Sequence, residues 1–271
     1  MTRRPADTFK YIIRKILLAV FALIIAFPIF YMFSSSLFSA RDFNRLHILP
    51  EIPIWENYTK AFGHRYFSAY LINSIGTSVL TAAIRSVTVV FAAFALTHLR
   101  FRGRNLILAA LTLTLFVPQE AILYQNYKTV AALGLLDTWA GIICTGLFSA
   151  AQMLLVMGFF TAQGKELYDA ARIDGASDIR YIWSVLLPLS SPAVITIIIQ
   201  TIITAFNRYL WPLLVTNKPR ARTIQTGITM LGFAESGETG AQMATLVLIS
   251  LPFLVLLAIG KKRIENALIR K

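Results

Sequence analysis

Residues Gly164 to Pro192 read GKELYDAARIDGASDIRYIWSVLLPLSSP and carry the most specific local pattern in the chain. Its spacing predicts a helix, a turn and a second helix, because Gly175 can adopt the positive φ that ends a helix and Ser177 can cap the next one. Apolar residues then recur at helical spacing until Pro188 stops the second helix, as expected for a helix lying along a membrane surface. One face of the first helix carries Leu167, Ala170, Ala171 and Asp174.

Long stretches of low charge lie on both sides of this segment, and the composition of the whole chain agrees with them. Of the 271 residues, 56% are hydrophobic and 14% are charged, with a mean hydropathy of +0.64. Because soluble domains carry about 25% charged residues, a water-soluble globule is excluded. The single cysteine, Cys144, excludes an internal disulfide and a cysteine metal site. We expect no metal site and no catalytic residue in this chain.

Six stretches approach or exceed the length that a helix needs to cross the hydrocarbon layer, about 20 apolar residues. The first is longer than a signal-peptide core of about 7 to 15 residues, so we interpret it as an anchor. The second contains Arg85, the third ends near Pro118, and the fifth begins at Pro192, where prolines split the preceding run. The sequence therefore predicts an all-α membrane protein with one transmembrane domain over residues 1–271. Its six transmembrane helices are predicted at 16–40, 66–99, 105–119, 138–164, 192–215 and 239–260.

The distribution of Lys and Arg predicts the orientation of these helices. With the N-terminus in the cytoplasm, 16 of the 26 basic residues lie on the cytoplasmic side and 9 lie outside, the asymmetry typical of membrane proteins. Both termini are then cytoplasmic, as is the loop at about 164–190, and the outer loops fall at about 41–65, 119–138 and 216–240. Topology thus explains most of the net charge of +13, and nucleic acid is not expected as a partner.

Polar residues recur at helical spacing within three of the predicted helices. The second helix carries Asn73, Thr77, Thr81, Arg85 and Thr88, the fourth carries Thr145, Ser149 and Gln152, and the fifth carries Thr196, Gln200, Thr204, Asn207 and Trp211. Hydroxyl groups alone also fit helix–helix packing. A lone arginine in the middle of a span costs about 2.5 to 3.5 kcal/mol, so Arg85 needs water, polar groups, another chain or an anionic ligand as its partner.

These stripes predict a polar pathway shared between the helices. Amides and hydroxyls suit the hydroxyl groups of a sugar, Trp211 suits stacking on a sugar face, and Arg85 or Arg208 suits a phosphate or carboxylate. For Arg208, an anchor at the membrane surface is the alternative interpretation. The predicted residues of the pathway are Asn73, Arg85, Gln200, Thr204, Asn207, Arg208 and Trp211.

The segment from Glu166 to Pro192 resembles the EAA loop of the permease subunits of binding-protein-dependent ABC importers. The pattern of that loop is EAA, a glycine four residues on, and Ile-x-Leu-Pro. The matching residues here are Asp169-Ala170-Ala171, Gly175 and Val185-Leu186-Leu187-Pro188, with Asp in place of Glu and Val in place of Ile. The run AARIDGAS and residues 206–214 resemble the carbohydrate-uptake branch, in particular the second permease of maltose-type and glycerol-3-phosphate-type systems. Arg208 departs from the branch, where a neutral or acidic residue is common.

The resemblance implies a type I ABC importer permease fold in the bacterial cytoplasmic (inner) membrane. This chain would form half of the path for a sugar, oligosaccharide or polyol phosphate, in a heterodimer with a homologous second permease. Two ATP-binding subunits and an extracytoplasmic solute-binding protein would complete the importer. No G-x-x-x-x-G-K-[ST] motif occurs here, so we expect the partner subunits to bind ATP and Mg²⁺, and this chain to bind no cofactor and to be no enzyme. The residues expected to couple to the ATPase are Glu166, Asp169, Ala170, Ala171, Asp174, Gly175, Ser177 and Pro188.

Three alternatives remain beside this interpretation. The first is an importer subunit for an anionic substrate, such as glycerol 3-phosphate or a uronate oligosaccharide. The second is a secondary transporter, although the six helices show no evident repeat and lack the buried acids of a proton relay. The third is a membrane phosphotransferase acting on CDP-alcohols. Asp169, Asp174 and Asp178 resemble the metal-binding aspartates of that family only in part, since no second Asp pair follows.

Overall fold

A computed structural model describes residues 5–228, 231, 237–252 and 254, and for residues 5–10 and 12 it describes the backbone alone. In this part of the chain all regular structure is helical. The helices are α1 (Pro5–Ser35), α2 (Ala40–Asn44), α3 (Glu56–Gly63), α4 (Phe67–His98), α5 (Arg104–Leu113), α6 (Leu123–Ala132), α7 (Trp139–Ile143), α8 (Ala150–Ala162), α9 (Lys165–Ile173), α10 (Asp178–Tyr181), α11 (Leu187–Leu189), α12 (Ser191–Phe206), α13 (Leu210–Val215), α14 (Ile224–Gly227) and α15 (Thr239–Pro252). Short 3₁₀ segments lie at Thr114–Phe116, Gln119–Ile122, Cys144–Gly146 and Pro219–Ala221, and a π-helical turn lies at Ile182–Leu186.

The chain divides into two compact units. The first comprises Met1–Arg65 and Leu231–Leu251, and the second comprises Tyr66–Met230 and Pro252–Lys271. In the first unit, α1 is apolar from Ile13 to Ser35, and its side chains are exposed over most of that length. This is the surface expected of a helix that faces lipid or another chain.

The loop after α1 is ordered by buried polar side chains. The Asn57 amide donates to the carbonyl oxygens of Ser36 and Phe38, at 2.9 and 3.0 Å. Ser39 is the N-cap of α2, and the Asp42 carboxylate completes a capping box by accepting bonds from the backbone N–H and the hydroxyl of Ser39. Farther along the chain, an ion pair of 2.9 Å joins Lys60 to Glu238, and it raises the pKa of Lys60.

Helix α4 is the centre of the second unit. It is 32 residues long and packs against α8 and α12. The shared core consists of fully or nearly fully buried apolar side chains, which hold the three helices together through close packing. Its members include Val89, Ala93, Phe94, Met153, Val156, Phe160, Ile182, Leu186 and Ile197.

The structure agrees with the first two predicted spans and revises the next three. Two helices of the described residues are long and apolar enough to cross a membrane unbroken, Ile13–Ser35 and Phe67–His98. Three further candidates are pairs of helices that bend at a short break: Arg104–Phe116 with Gln119–Ala132 (96°), Trp139–Gly146 with Ala150–Ala162 (55°), and Asp178–Leu189 with Ser191–Phe206 (85°). The first helix of the third span ends at Phe116, close to the predicted end at Pro118, but a second helix follows at Gln119–Ala132, where the sequence predicts an outer loop.

The predictions of unbroken helices over 138–164 and 192–215 are wrong. In the first, the helix stops at Gly146, and Ser149 starts a new one by accepting a hydrogen bond from the N–H of Gln152. In the second, α12 ends at Phe206, and residues 207–209 separate it from α13. The side chain of the C-cap residue Asn207 bonds to the carbonyl of Ile203, a local contact of the kind that favours helix ends. The sixth predicted span, 239–260, coincides with α15 as far as Pro252, and most of its remainder lies outside the described residues.

Candidate functional site

A cavity of about 730 Å³ lies within the second unit, a volume typical of small-molecule sites. Its polar lining comes from α4, from the start of α8 and the 3₁₀ segment before it, from α12 and the residues after it, and from the 3₁₀ segments after α5. Four of the predicted pathway residues lie here: Arg85, Gln200, Thr204 and Arg208. Other polar residues of the lining are Thr81, Thr114, Gln119, Thr145, Ser149 and Gln152.

Arg85 is held by the broken fourth span. Its Nε atom donates to the carbonyl oxygen of Gly146, and one turn along α4 the Thr88 hydroxyl donates to the carbonyl of Leu147 at 2.6 Å. Both carbonyls lie where the helix is interrupted, so they lack the helical donors that would otherwise bind them. A cation at the C-terminal end of a helical segment is also favoured by the helix dipole. Among the described residues, the structure gives no protein hydrogen bond to the two terminal nitrogens of Arg85.

Arg208 approaches the same point from the end of α12. Its Nη1 atom donates to the hydroxyl of Thr145 at 3.1 Å. A Cβ atom on Gly146 would lie 3.3 Å from Nη2 of Arg85 and 3.5 Å from Nη1 of Arg208, so the two guanidinium groups are neighbours around this glycine. Within the described residues, no acid lines the cavity or forms an ion pair with either arginine. The cavity therefore favours a negatively charged ligand.

The N-terminus of α8 adds to this positive potential. Ser149, Ala150 and Ala151 line the cavity, and α8 runs for 13 residues behind them. The N-terminal end of a helix carries a partial positive charge and N–H groups without helical partners. This end of α8 therefore adds to the positive potential that the two arginines produce in the cavity.

A network of amides and a hydroxyl joins α8 to α12 at the wall of the cavity. The Gln152 amide nitrogen donates to the side-chain oxygens of Gln200 and Thr201, at 3.2 and 3.1 Å. Thr201 in turn donates to the carbonyl of Ile197 at 2.6 Å. Gln152 lies on a polar stripe of the sequence but was not among the predicted pathway residues. Gln152 reaches the cavity wall through its hydrogen bond to Gln200, which lies 48 residues away along the chain and so gives no local signal.

Asn73 does not line the cavity. Its amide donates to the carbonyls of Arg220 and Arg222, at 2.8 and 3.0 Å, and its oxygen accepts from the Trp139 indole at 2.8 Å. The side chain is buried, and each of its polar atoms binds the protein. Asn73 thus ties α4 to two distant segments, which is a structural role.

Asn207 and Trp211 also lie elsewhere, because the helix that was to carry them ends at Phe206. Asn207 is exposed and accepts a bond from the Gln225 amide at 3.1 Å. Trp211 is 5% exposed and packs with Val130, Ile142 and Val215. Its indole donates to the carbonyls of Gly141 and Ile142. It borders a second cavity of about 280 Å³ next to Arg208, but its burial leaves little ring surface for stacking.

The segment from Gly164 to Pro192 forms the predicted helix, turn and helix. Helix α9 ends at Ile173, Gly175 has a φ of +78°, and the Ser177 hydroxyl accepts from the N–H of Arg180. The second helix continues one residue past Pro188 before an 85° bend. The predicted coupling residues that are exposed are Glu166, Asp169, Ala170, Asp174, Gly175, Ser177 and Pro188, and Ala171 is half-buried.

The same segment exposes large apolar side chains that were not among the predicted coupling residues. Ile173 is 86% exposed, and Ile179 and Trp183 are also largely uncovered. The opposite side of α9 packs inward through Tyr168, whose hydroxyl donates to Asp178 at 2.8 Å. Burial and this hydrogen bond raise the pKa of Tyr168, so the phenol stays neutral and remains a donor.

A family model described as "Binding-protein-dependent transport system inner membrane component" matches residues 1–270. The chain belongs to this family. It is similar to the sn-glycerol-3-phosphate transport system permease proteins of Brucella suis, 31% identical over 98% of each chain, and of Agrobacterium fabrum, 32% identical over 89% of each chain. The corresponding protein of Yersinia pestis is 28% identical over 98% of this chain and 97% of its own.

A solved structure shares the fold of this family member. It is a chain of a bacterial ABC transporter involved in the import of the acidic polysaccharide alginate, with a TM-score of 0.87 and 25% identity over 97% of this chain and 99% of that one. The protein is therefore an inner-membrane permease component of an ABC importer and has the type I ABC importer permease fold. Its relatives are transport permeases, which agrees with a role in transport and not in chemical catalysis.

Proposed function

We propose that this permease subunit moves an anionic substrate of the carbohydrate class, such as a sugar or polyol phosphate or an acidic oligosaccharide. The observation that carries the proposal is the pair Arg85 and Arg208, which meet around Gly146 in a cavity lined by no acid of the described residues. The relatives named for sn-glycerol 3-phosphate and the structural neighbour involved in alginate import support an anionic substrate.

The lining of the cavity gives each group a role. The terminal nitrogens of Arg85 and Arg208 bind the phosphate or carboxylate, and the N-terminus of α8 adds to the attraction. Thr204 and Gln200 provide a hydroxyl and an amide for the hydroxyl groups of the substrate. A neutral sugar would use the same amides and hydroxyls but would leave two cations without a counter-charge, which is why we favour an anion.

The chain would work as one half of a heterodimer with a homologous permease. Two separate ATP-binding subunits hold ATP and Mg²⁺, and an extracytoplasmic binding protein delivers the substrate. We place the chain as one domain, residues 1–271, with six spans and both termini in the cytoplasm. The outer loop at about 216–240 is then available to the binding protein.

Helix α9 and the turn after it would transmit the movement of the ATP-binding subunits. Ala171, Asp174 and Gly175 seat in a groove of one ATP-binding subunit, with Glu166, Asp169, Ala170 and Ser177 around them. Closure of the two ATP-binding subunits then displaces α9 and rocks the helices behind it, which opens the cavity to one side of the membrane at a time. Pro188 and the bend after Leu189 separate this inner segment from α12.

Gly175→Pro tests the coupling part of the proposal. Proline fixes φ near −65° and cannot adopt the +78° of Gly175, so the turn after α9 must change shape. We expect the variant to insert in the membrane while ATP hydrolysis no longer drives uptake. Gly103→Pro is the matched control, because Gly103 has a similar φ of +85° but lies outside the coupling segment. Normal transport by Gly175→Pro with the ATPase bound would refute the assignment of the docking site.

A further inference from the structure

A cluster of aromatic rings lies between α9 and the C-terminal end of α4. We call it the aromatic cluster, and its members are Phe94, His98, Phe160, Tyr168 and Tyr181. The ring of Tyr168 is central on the side of α9, with centroid distances of 5.2 Å to His98, 5.1 Å to Tyr181 and 6.0 Å to Phe94. His98 in turn stacks on Phe94 at 5.1 Å and meets Phe160 edge-on at 6.3 Å.

Tyr168 is fixed by a hydrogen bond as well as by its ring contacts. Its hydroxyl donates to Oδ1 of Asp178, and Arg172 approaches the same oxygen at 3.3 Å. Tyr168 therefore joins α9 to α10 through its hydroxyl and to α4 through its ring. The exposed residues of α9 remain on the other side, where a partner can dock.

Helix α4 connects the aromatic cluster to the arginine cavity without interruption. Phe94 and His98 lie on the same helix as Arg85, and that helix is continuous from Phe67 to His98. An unbroken helix transmits a displacement of one end to the other, because its hydrogen bonds and packed core resist bending. The fourth and fifth spans, in contrast, are bent by 55° and 85° between their two halves. Among these three, α4 is the stiffest route from α9 to the cavity.

We propose that the aromatic cluster makes α9 and α4 move as one body, so that Tyr168 positions Arg85 in response to the ATP-binding subunit. Tyr168 is thus a positioning residue that acts through His98 and α4. This inference rests on the proposed function, since it needs α9 to be the segment that the ATP-binding subunit moves. It adds a defined mechanical route and a residue outside the exposed docking surface.

The test uses the whole importer, purified and reconstituted in lipid vesicles with its binding protein. Uptake per ATP hydrolysed is measured for wild type, Tyr168→Ala, Tyr168→Phe and Tyr124→Ala. Tyr124→Ala is the control, since Tyr124 is 71% exposed and lies outside the aromatic cluster. We expect Tyr168→Ala to retain its ATP-binding subunits and its hydrolysis, while uptake per ATP falls by about 5- to 150-fold, the range of allosteric coupling energies.

Two conservative variants separate the ring from the hydroxyl. Tyr168→Phe keeps the ring contacts and loses the bond to Asp178, so its uptake per ATP should lie between wild type and Tyr168→Ala. Tyr181→Phe removes a buried hydroxyl that has no hydrogen-bond partner among the described residues, so its uptake per ATP should equal that of wild type. An unchanged ratio in Tyr168→Ala would overturn the inference.

A distance measurement on an importer that keeps Tyr168 covers the case in which Tyr168→Ala fails to assemble. Cys144→Ser removes the native thiol, and spin labels are placed at the exposed positions Lys165 and Val87, on α9 and α4. We expect the distance between the labels to change by less than about 2 Å between nucleotide states, the size of local helix shifts. A larger change would overturn the rigid link. Failure of wild-type ATP-binding subunits to co-purify with the chain would instead contradict the proposed function.

Discussion

The Nε atom of Arg85 donates a hydrogen bond to the carbonyl oxygen of Gly146, which lies 61 residues further along the chain. This bond uses one edge of the guanidinium group to satisfy the end of a broken helix. The terminal nitrogens remain on the side of the cavity, next to Arg208. One side chain therefore stabilises the break and supplies positive charge at the same point.

Arg85→Gln should weaken the binding of an anionic substrate. A hydrogen bond to a charged group contributes about 1.5 to 3 kcal/mol, so we expect the apparent KM for the anion to rise by about 10- to 150-fold. Arg85→Lys keeps the charge but loses the planar geometry, so its apparent KM should lie between those of wild type and Arg85→Gln. Arg102→Gln, which changes an exposed arginine outside the cavity, is the control. An unchanged KM in Arg85→Gln would remove Arg85 from the site.

Asn73→Ala should lower stability without changing substrate affinity. The substitution removes three hydrogen bonds and leaves the Trp139 indole N–H and two carbonyls short of a partner. We expect the protein to lose about 2 to 4 kcal/mol, measured as a lower thermal midpoint of the purified importer. Gln125→Ala, which truncates an exposed amide, should leave the midpoint unchanged. A normal midpoint combined with a raised KM would restore Asn73 to the pathway.

Gly76→Ala and Gly158→Ala form a second matched pair, because both glycines lie within helices. A Cβ on Gly76 would collide with the six-membered ring of Trp139, whereas a Cβ on Gly158 would meet no atom within 4 Å. Overpacking costs about 1 to 3 kcal/mol, so Gly76→Ala should lower the thermal midpoint. Alanine has the higher helix propensity by about 1 kcal/mol, so Gly158→Ala should leave the midpoint equal or higher. Equal destabilisation in both variants would contradict the packing of Trp139 on α4.

Asp42 gives the loop after α1 a defined pH dependence. Hydrogen bonds from the Ser39 hydroxyl and backbone N–H, together with those from Glu51 and His47, hold the pKa of Asp42 well below its usual range. Because the pKa is about 3.9 in the unfolded chain, the stabilisation is fully present above that pH. It is lost as the pH falls through the lower folded value.

Hydrogen exchange of residues 39–51, expressed as protection factors, measures this effect. Protection should be constant from pH 7 to about pH 5 and should decrease below about pH 4. Asp42→Asn should lose protection at pH 7, whereas Glu51→Gln, which changes an exposed carboxylate, should keep most of it. Protection in Asp42→Asn equal to that of wild type at pH 7 would show that the carboxylate does not order the loop.

Local signals in the sequence correctly predicted α4 and the helix, turn and helix that begin at Gly164. Gly175 and Ser177 act through their own backbone and side chain within a few residues, so their effect can be read without knowing the fold. The apolar run of α4 likewise defines a helix by its length alone. The resemblance of the chain to the permease family was also confirmed.

The break in the fourth span could not be predicted from the sequence, because its stabilising partners are far away along the chain. The carbonyls of Gly146 and Leu147 are satisfied by Arg85 and Thr88, at separations of 61 and 59 residues. No proline or charged residue marks the interruption. The polar stripe of α4 predicted both Asn73 and Arg85 as pathway residues, because their partners are also distant along the chain. Only their tertiary partners separate the structural amide from the arginine of the cavity.

Transport of an anion by this permease can be measured as uptake by lipid vesicles. The vesicles contain this permease, its partner permease, the ATP-binding subunits and the binding protein. Glycerol 3-phosphate, a uronate oligosaccharide and a neutral disaccharide are compared with and without ATP. We expect ATP-dependent accumulation of an anionic substrate, reduced in Arg85→Gln and intact in Arg102→Gln. Accumulation of the neutral disaccharide alone, or accumulation of an anion without ATP, would contradict this expectation.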